Sequence, residues 1–293
     1  WKPVGAGVKA FTTGTAGYLY GKWHDGQPES FADMVYATAF IKDWSTKDGA
    51  NDKYYDEALD SSWTANIALT KGIIWDAKAK SATAWVDTQF PMEPARAYPV
   101  ISPLAANYGY NAMVPWQIYE ALGQMVAEGS KSGTVYTFQY SEDAAITEVD
   151  VKEPKCVADI KAKLQELAAA KFLPASLKGF ATPEEAVARY NASIKFIDTY
   201  GHAFIGNGPF FISKIDTVAN YVECTAFRDS YPYKSDYWPK AFKVALSSID
   251  AVKMPVTAVR SKDAVITVNV SSFNYPDVAK TPLAKGKVTA ANR

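Results

Sequence analysis

The segment TPEEAVARYNASIKFIDTYG, residues 182–201, carries both of its ends in its own residues. Thr182 with Glu185 three positions on forms a capping box, and Pro183 takes the first helical position, where its missing N–H is not needed. Val187, Tyr190, Ile194 and Ile197 recur at helical spacing, and Gly201 stands where a left-handed terminating residue is wanted. The pattern predicts a helix over 183–199. PFFISKID and NYVECTAF follow at once and read as the two strands of a β-hairpin. A chain that moves from a 3.6-residue to a two-residue period this abruptly packs helices on a sheet, and the expected class is α/β with a mixed sheet.

Other elements fit this frame. In GKWHDGQPESFADMVYATAFIKDW, residues 21–44, Pro28 lies near a first helical turn, and Ser30 with Asp33 makes a weaker capping box. Phe31, Met34, Val35, Thr38, Ile41 and Trp44 then repeat at helical spacing, which predicts a turn followed by a helix over 29–44. PWQIYEALGQMVAEG reads as a helix ending at Gly129, and VADIKAKLQELAAAK as a helix over 157–171. The first twenty residues read as a strand or hairpin, 45–62 as a polar loop, and NIALTKGIIWDAKAKSATAWVDTQF as two strands around a charged turn. AVITVNVSSF alternates cleanly and KGKVTA begins another strand, so 241–293 is expected to form a small β-rich segment after a domain over 1–240.

Charge excludes one class of function. Lys plus Arg and Asp plus Glu are both 31, so no net field draws nucleic acid or an anionic membrane. No window reaches the roughly 18 apolar residues that span a bilayer. Aromatics are 14% of residues, which fits either a large core or a surface that stacks on sugars and extended peptides. Residues 91–115 are rich in Pro, Gly and Asn with aromatics interleaved. Tyr108, Tyr110 and the adjoining Trp116 are therefore candidate ligand contacts, with Trp85 a weaker addition; the alternative for each is a core or lobe-interface aromatic.

His24 and Asp25 are the most chemical-looking pair. A His-Asp pair orients an imidazole for base catalysis, yet HDG before Pro is also an ordinary tight turn, and no G-x-S-x-G supplies a nucleophile. His24 and His202, the only histidines, fit no metal spacing, and a structural role is expected for both. Cys156 and Cys224 are either one disulfide of an oxidising compartment or two buried thiols. Asn191-Ala-Ser and Asn269-Val-Ser are glycosylation sequons, meaningful in an extracellular protein.

Two blocks carry a family resemblance. GKWHDGQPESFADMVYATAF resembles the W-H-D-G-x-P-x-x-x-x-D-V-x-x-S signature of family 5 extracellular solute-binding proteins of ABC transporters, and GNGPFFISKID with YVECTAFRDSYPYKSDYW resembles that family's G-T-G-P-Y…L-x-R-N-P-x-Y-W segment. YNASIKFIDTYGHAFIGNGPF and DWSTKDGANDKYYD are most similar to long archaeal members. Asn207 stands where the family usually has Thr, and Glu29 where an apolar residue is common.

The resemblance covers residues 1–240 and implies a lobe of a class C periplasmic-binding-protein-like fold. By resemblance, Trp23, His24, Asp25 and Gly26 form a fixed turn that sets the following helix, and Asn207, Gly208 and Pro209 are a second structural motif. The implied function is a non-enzymatic extracellular, cell-surface subunit that binds a small peptide or oligosaccharide and passes it to an ABC permease, with no cofactor or metal and no nucleic acid. The alternative is a structural or cell-surface assembly module built on the same fold. The family's upstream half is lacking, the first residue is a Trp in a strand-like segment, and KGKVTAANR closes just after a strand begins. The chain is therefore expected to belong to a larger object, completed by that half or by another chain and reaching the membrane through segments outside it.

Overall fold

The computed structural model describes residues 9–14, 21–79, 81–86, 114–216, 218–228, 244–257, 259–260, 262–275 and 279–282. The chain separates into two compact units, Trp1–Pro232 and Tyr233–Arg293. The first contains, in order, β1 (Lys9–Gly14), α1 (Phe31–Trp44), α2 (Glu57–Leu69), β2 (Thr70–Asp76), β3 (Ser81–Val86), α3 (Trp116–Glu128), β4 (Val135–Thr137), β5 (Ile146–Glu148), α4 (Pro154–Ala169), α5 (Pro183–Tyr200), β6 (Phe210–Asp216) and β7 (Tyr221–Ala226). The second holds β8 (Val244–Lys253), β9 (Thr267–Tyr275) and β10 (Thr281–Pro282). Helix and strand are mixed, as the switching periods require. No described helix is long and apolar enough to cross a membrane.

The helix ends follow the capping residues. On α5, Thr182 Oγ1 accepts from the Glu185 N–H at 3.2 Å while Glu185 Oε2 accepts from the Thr182 N–H at 2.8 Å. Gly201 closes the helix at φ 75°, a conformation a side chain would strain. Helix α4 begins earlier than its apolar period indicates, because Glu153 Oε2 accepts from the Cys156 N–H at 2.7 Å and caps Pro154. It also ends earlier, at Ala169, and Lys171 turns out of it at φ 48°.

Two expectations are corrected. Residues 57–69 are helix α2, not loop and strand: Asp56 Oδ1 accepts from the N–H groups of Ala58 and Leu59 at 3.0 and 2.9 Å and starts the helix. Leu59 and Trp63 are buried, and Ile67 packs on the core one turn later. The described strands also build separate small sheets in place of one mixed sheet: antiparallel β1-β3-β2, the parallel pair β4-β5, the hairpin β6-β7 and antiparallel β10-β9-β8. Only β1 among the described strands reaches far along the chain, pairing Lys9–Gly14 with Ser81–Val86. The KGKVTA strand lies outside the described residues.

The core of the first unit lies among the helices, with Ile118, Met125, Ile160, Leu164 and Tyr190 fully buried. Helix α3 packs on α1, α4 and α5. Gly123 lets α1 come close, since a Cβ there would lie 3.3 Å from the Phe40 ring. Many of the described aromatics pack here. Trp44 meets Phe138 edge-on at 4.8 Å, Phe40 meets Tyr119 at 5.3 Å, and Trp116 bridges Tyr36 and Tyr190 at 5.8 and 5.6 Å.

The disulfide alternative is overturned, as both cysteines are free. Cys156 is buried in the first turn of α4, where its Sγ accepts from the Asp150 N–H, whereas Cys224 is exposed on β7. Burial pushes the Cys156 thiol up to about 11, which starves it of thiolate. Alkylation of the native protein at pH 8 is expected to add one label, at Cys224, and a second only in denaturant. Peptide mass spectrometry checks this; absence of labelling reversed by a reductant would contradict it.

Candidate functional site

The turn at 23–27 is closed by its own backbone. The Trp23 N–H donates to the Gln27 carbonyl and the Gly26 N–H to the Trp23 carbonyl, both at 2.8 Å, and Gly26 adopts φ 86°. Asp25 Oδ1 accepts from the Gln27 N–H at 3.0 Å, an Asx turn. The side chains of this turn then reach two distant parts of the chain.

His24 reaches forward to the GNGP segment. Its N–H donates to the Gly206 carbonyl at 2.8 Å, its Nδ1 accepts from the Gly206 N–H at 3.1 Å, and its Nε2–H donates to the Gly208 carbonyl at 3.0 Å, 184 residues away. The acceptor role of Nδ1 assigns the proton to Nε2. Phe211 and Phe227 flank the ring at 5.8 and 5.0 Å. Burial, together with the positive charge His202 would carry, lowers the His24 pKa against the raising contact to Gly208. The ring is therefore neutral and bridges backbone to backbone. Asn207 Nδ2 in the same segment donates to Glu29 Oε1.

Asp25 reaches inward. Its Oδ2 accepts from Ser193 Oγ on α5 at 2.9 Å and from Gln117 Nε2 on α3 at 3.2 Å. Burial raises its carboxyl pKa above the usual range, against the lowering bonds from Gln27 and Ser193. The serine bonds the aspartate while the histidine bonds neither, so the groups of a catalytic triad are present without its connectivity.

Beside this pair lies a second centre that joins four elements. Arg189 of α5 is buried, and its Nη1 and Nη2 reach Asp33 Oδ1 and Oδ2 at 2.9 and 3.2 Å. The same guanidinium donates to the Pro28 carbonyl at 2.7 Å and to Ser30 Oγ at 2.9 Å. Asp33 also accepts from the Ser30 N–H at 2.8 Å, from the Trp116 N–H at 3.3 Å and from Trp23 Nε1 at 3.4 Å. One carboxylate thus completes the cap of α1, holds the start of α3, and receives the fork of α5. Arg189, Gln117 and Ser193 were not singled out from the sequence, and Asp33 only as part of a helix cap. The signal was there for Arg189, which interrupts a buried stripe of Ala186, Tyr190, Ser193 and Ile197 with a charge that needs a partner.

Trp116 lies in the core, the alternative placement expected for it. It is 1% exposed between Tyr36 and Tyr190, because the first turn of α3 enters the core under Asp33. Trp85 is half-buried on β3, opposite Ala10 of β1 and Gly72 of β2. Tyr108 and Tyr110 lie outside the described residues. Asn191 is exposed on α5 and Asn269 on β9. Among the described residues no cluster of His, Cys, Asp or Glu is placed to hold a metal ion. A shallow depression of about 490 Å³ between the end of α3 and α4 is lined by Glu128, Lys131, Lys163 and Glu166, with Glu128 paired to Lys53 and Glu166 to Lys163.

Replacing Arg189 with Met leaves the largely enclosed Asp33 without its guanidinium, and is expected to cost about 3–5 kcal/mol in urea unfolding at unchanged slope. Arg189→Lys is expected to recover only part, since one ammonium cannot span both Asp33 oxygens, the Pro28 carbonyl and Ser30. A loss below about 1 kcal/mol for the Met variant would show the pair to be peripheral.

No protein-family model matches the chain, and no curated protein matches it. Its function is read from the two linked centres at the 23–33 turn.

Proposed function

We propose that the chain is a solute-binding subunit of the family 5 extracellular kind, which binds a peptide or oligosaccharide and delivers it to an ABC permease at the cell surface. The observation that carries this reading is the meeting of the two motif blocks: the His24 ring of the W-H-D-G block is bonded to Gly206 and Gly208 of the G-N-G-P block. Motifs so far apart in sequence are shared as a pair when they form one structural joint. The two departures from the family pattern, Glu29 and Asn207, bond each other, so the substitution on one side is matched on the other.

In this reading residues 1–240 are a lobe of the class C binding-protein fold and 241–293 its β-rich extension. The protein works without covalent chemistry. Two lobes close on the ligand, and the permease recognises the closed form, so ligand affinity and transport are coupled through one conformational equilibrium. Tyr108, Tyr110 and Trp85 supply flat contact area, and polar groups of the lobes fix orientation.

A second reading, a cell-surface assembly module, is favoured by the β-rich unit, where Ile249, Met254, Val256, Val259, Val265 and Ile266 are all more than half exposed. Isothermal titration against panels of peptides and oligosaccharides separates the two. Transport predicts saturable binding of one class with a negative heat-capacity change. Silence across both panels, with concentration-dependent association in light scattering, would overturn it in favour of assembly.

A further inference from the structure

The chain has two histidines, and they are wired alike. His202, at the end of α5, accepts the Phe204 N–H on Nδ1 at 3.1 Å and donates from Nε2 to the Ile212 carbonyl of β6 at 2.9 Å. His24 accepts the Gly206 N–H on Nδ1 and donates from Nε2 to the Gly208 carbonyl. All four ring bonds fall on one continuous stretch, 204–212, which joins α5 to the β6-β7 hairpin. We propose that His24 and His202 form a paired acid-released latch that pins residues 204–212 at neutral pH and lets 204–209 open when the medium acidifies.

The chemistry lies in Nδ1. On each ring it is an acceptor facing a backbone N–H, so a proton placed there sets donor against donor at about the same 3.1 Å. The bonds from Nε2 survive protonation, but the ring can no longer sit where both contacts are made. Phe210–Ile212 stay paired with β7, so the part free to open is 204–209, with Ile205 buried in the core. Its other ties are few: the Ile205 N–H to the Ala203 carbonyl, the Phe227 N–H and Arg228 to the Pro209 carbonyl, the His24 N–H to the Gly206 carbonyl, and Asn207 to Glu29.

The charged groups around the rings do not rescue the protonated form. With both nitrogens of each ring bonded to backbone, none is left for a carboxylate. Asp25 is held by Gln27, Ser193 and Gln117, and Glu29 by Asn207. The His202 ring packs on Phe196 and Tyr200; of the acids nearest in sequence and at the Ala203–Val151 contact, Asp198 of α5 is paired with Lys161 and Asp150 with Lys152. Arg228 adds positive charge beyond Pro209, and a charge on His202 opposes one on His24.

Burial is the first cause that lowers both imidazoles below their ordinary value of 6.5. The latched form binds fewer protons than the open form. Latching is therefore complete above about pH 6.5 and is lost as pH falls toward the lowered values. Asp25 and Glu29 have the opposite sign: burial raises both, so their burial is relieved as pH falls. Global stability mixes the two effects, and local amides separate them.

The test is amide hydrogen exchange by NMR on the intact chain at pH 7 and pH 5, corrected for intrinsic exchange. Protection of the Phe204 and Gly206 amides is expected to fall at least about tenfold, a local opening that exchange resolves, while the Gly201 amide keeps its protection. The double variant H24N/H202N retains an acceptor near each Nδ1 position and does not titrate. Its Phe204 and Gly206 protection is expected to be flat with pH. Unchanged protection in the parent chain, or equal acid loss in the variant, overturns the latch. Should the variant not fold, the imidazole titrations of the parent chain decide: both midpoints below 6.5 support the latch, and either at or above it overturns it. The outcome is independent of ligand binding, so it stands or falls apart from the transport reading.

Discussion

The bidentate pair of Arg189 with Asp33 sets the frame in which α1, α3 and α5 of the first unit meet. A guanidinium taken out of water is costly unless each of its donors is met, and here they meet two carboxylate oxygens, a carbonyl and a hydroxyl. The requirement is geometric. The partners come from the turn before α1 and from α1 itself, and Asp33 passes the constraint to α3 through the Trp116 N–H. Apolar packing would tolerate small slides of these helices over one another; a planar fork does not. The unpartnered Trp116 Nε1 sits in the adjoining core, a cost that this arrangement accepts.

The neighbouring Asp25 and Gln117 extend the same logic. Gln117 is fully buried, donating to Asp25 and Ser193 and accepting from Arg189, so its amide closes the gap between the two carboxylates. A polar network satisfied at this level specifies one arrangement of four segments. It also explains why W-H-D-G looks like chemistry in a sequence. Acid, base and hydroxyl are concentrated there because a buried turn must satisfy its polar groups with one another.

Legibility in the sequence followed the range of the interaction. The ends of α5 were readable because Thr182, Glu185 and Gly201 act on residues within one turn. The hairpin β6-β7 was readable from local alternation, and α3 from its apolar period and Gly129. Helix α2 was missed because Asp56, its cap, sits in a polar run that reads equally as loop, and Ile67 begins a β-branched stretch that reads as strand. The partners of Arg189, 156 residues from Asp33, leave no local mark, and Trp116 next to an irregular aromatic segment gives no sign of which way it faces. The turn at 23–26 was legible as a turn; what it holds was not.

The distance along the chain between His24 and Gly208 has a consequence for synthesis. The ribosome delivers the 23–26 turn and α1 first, and their partners on α5 and in the G-N-G-P segment emerge up to 184 residues later. At about 5–20 residues per second that is roughly 10 to 40 s during which His24 lacks Gly208, and roughly 8 to 30 s during which Asp33 lacks the guanidinium 156 residues on. The 23–33 turn and α1 cannot complete their polar contacts until residue 208 has emerged, so the order of synthesis places the first-made segment of this centre among the last to be satisfied.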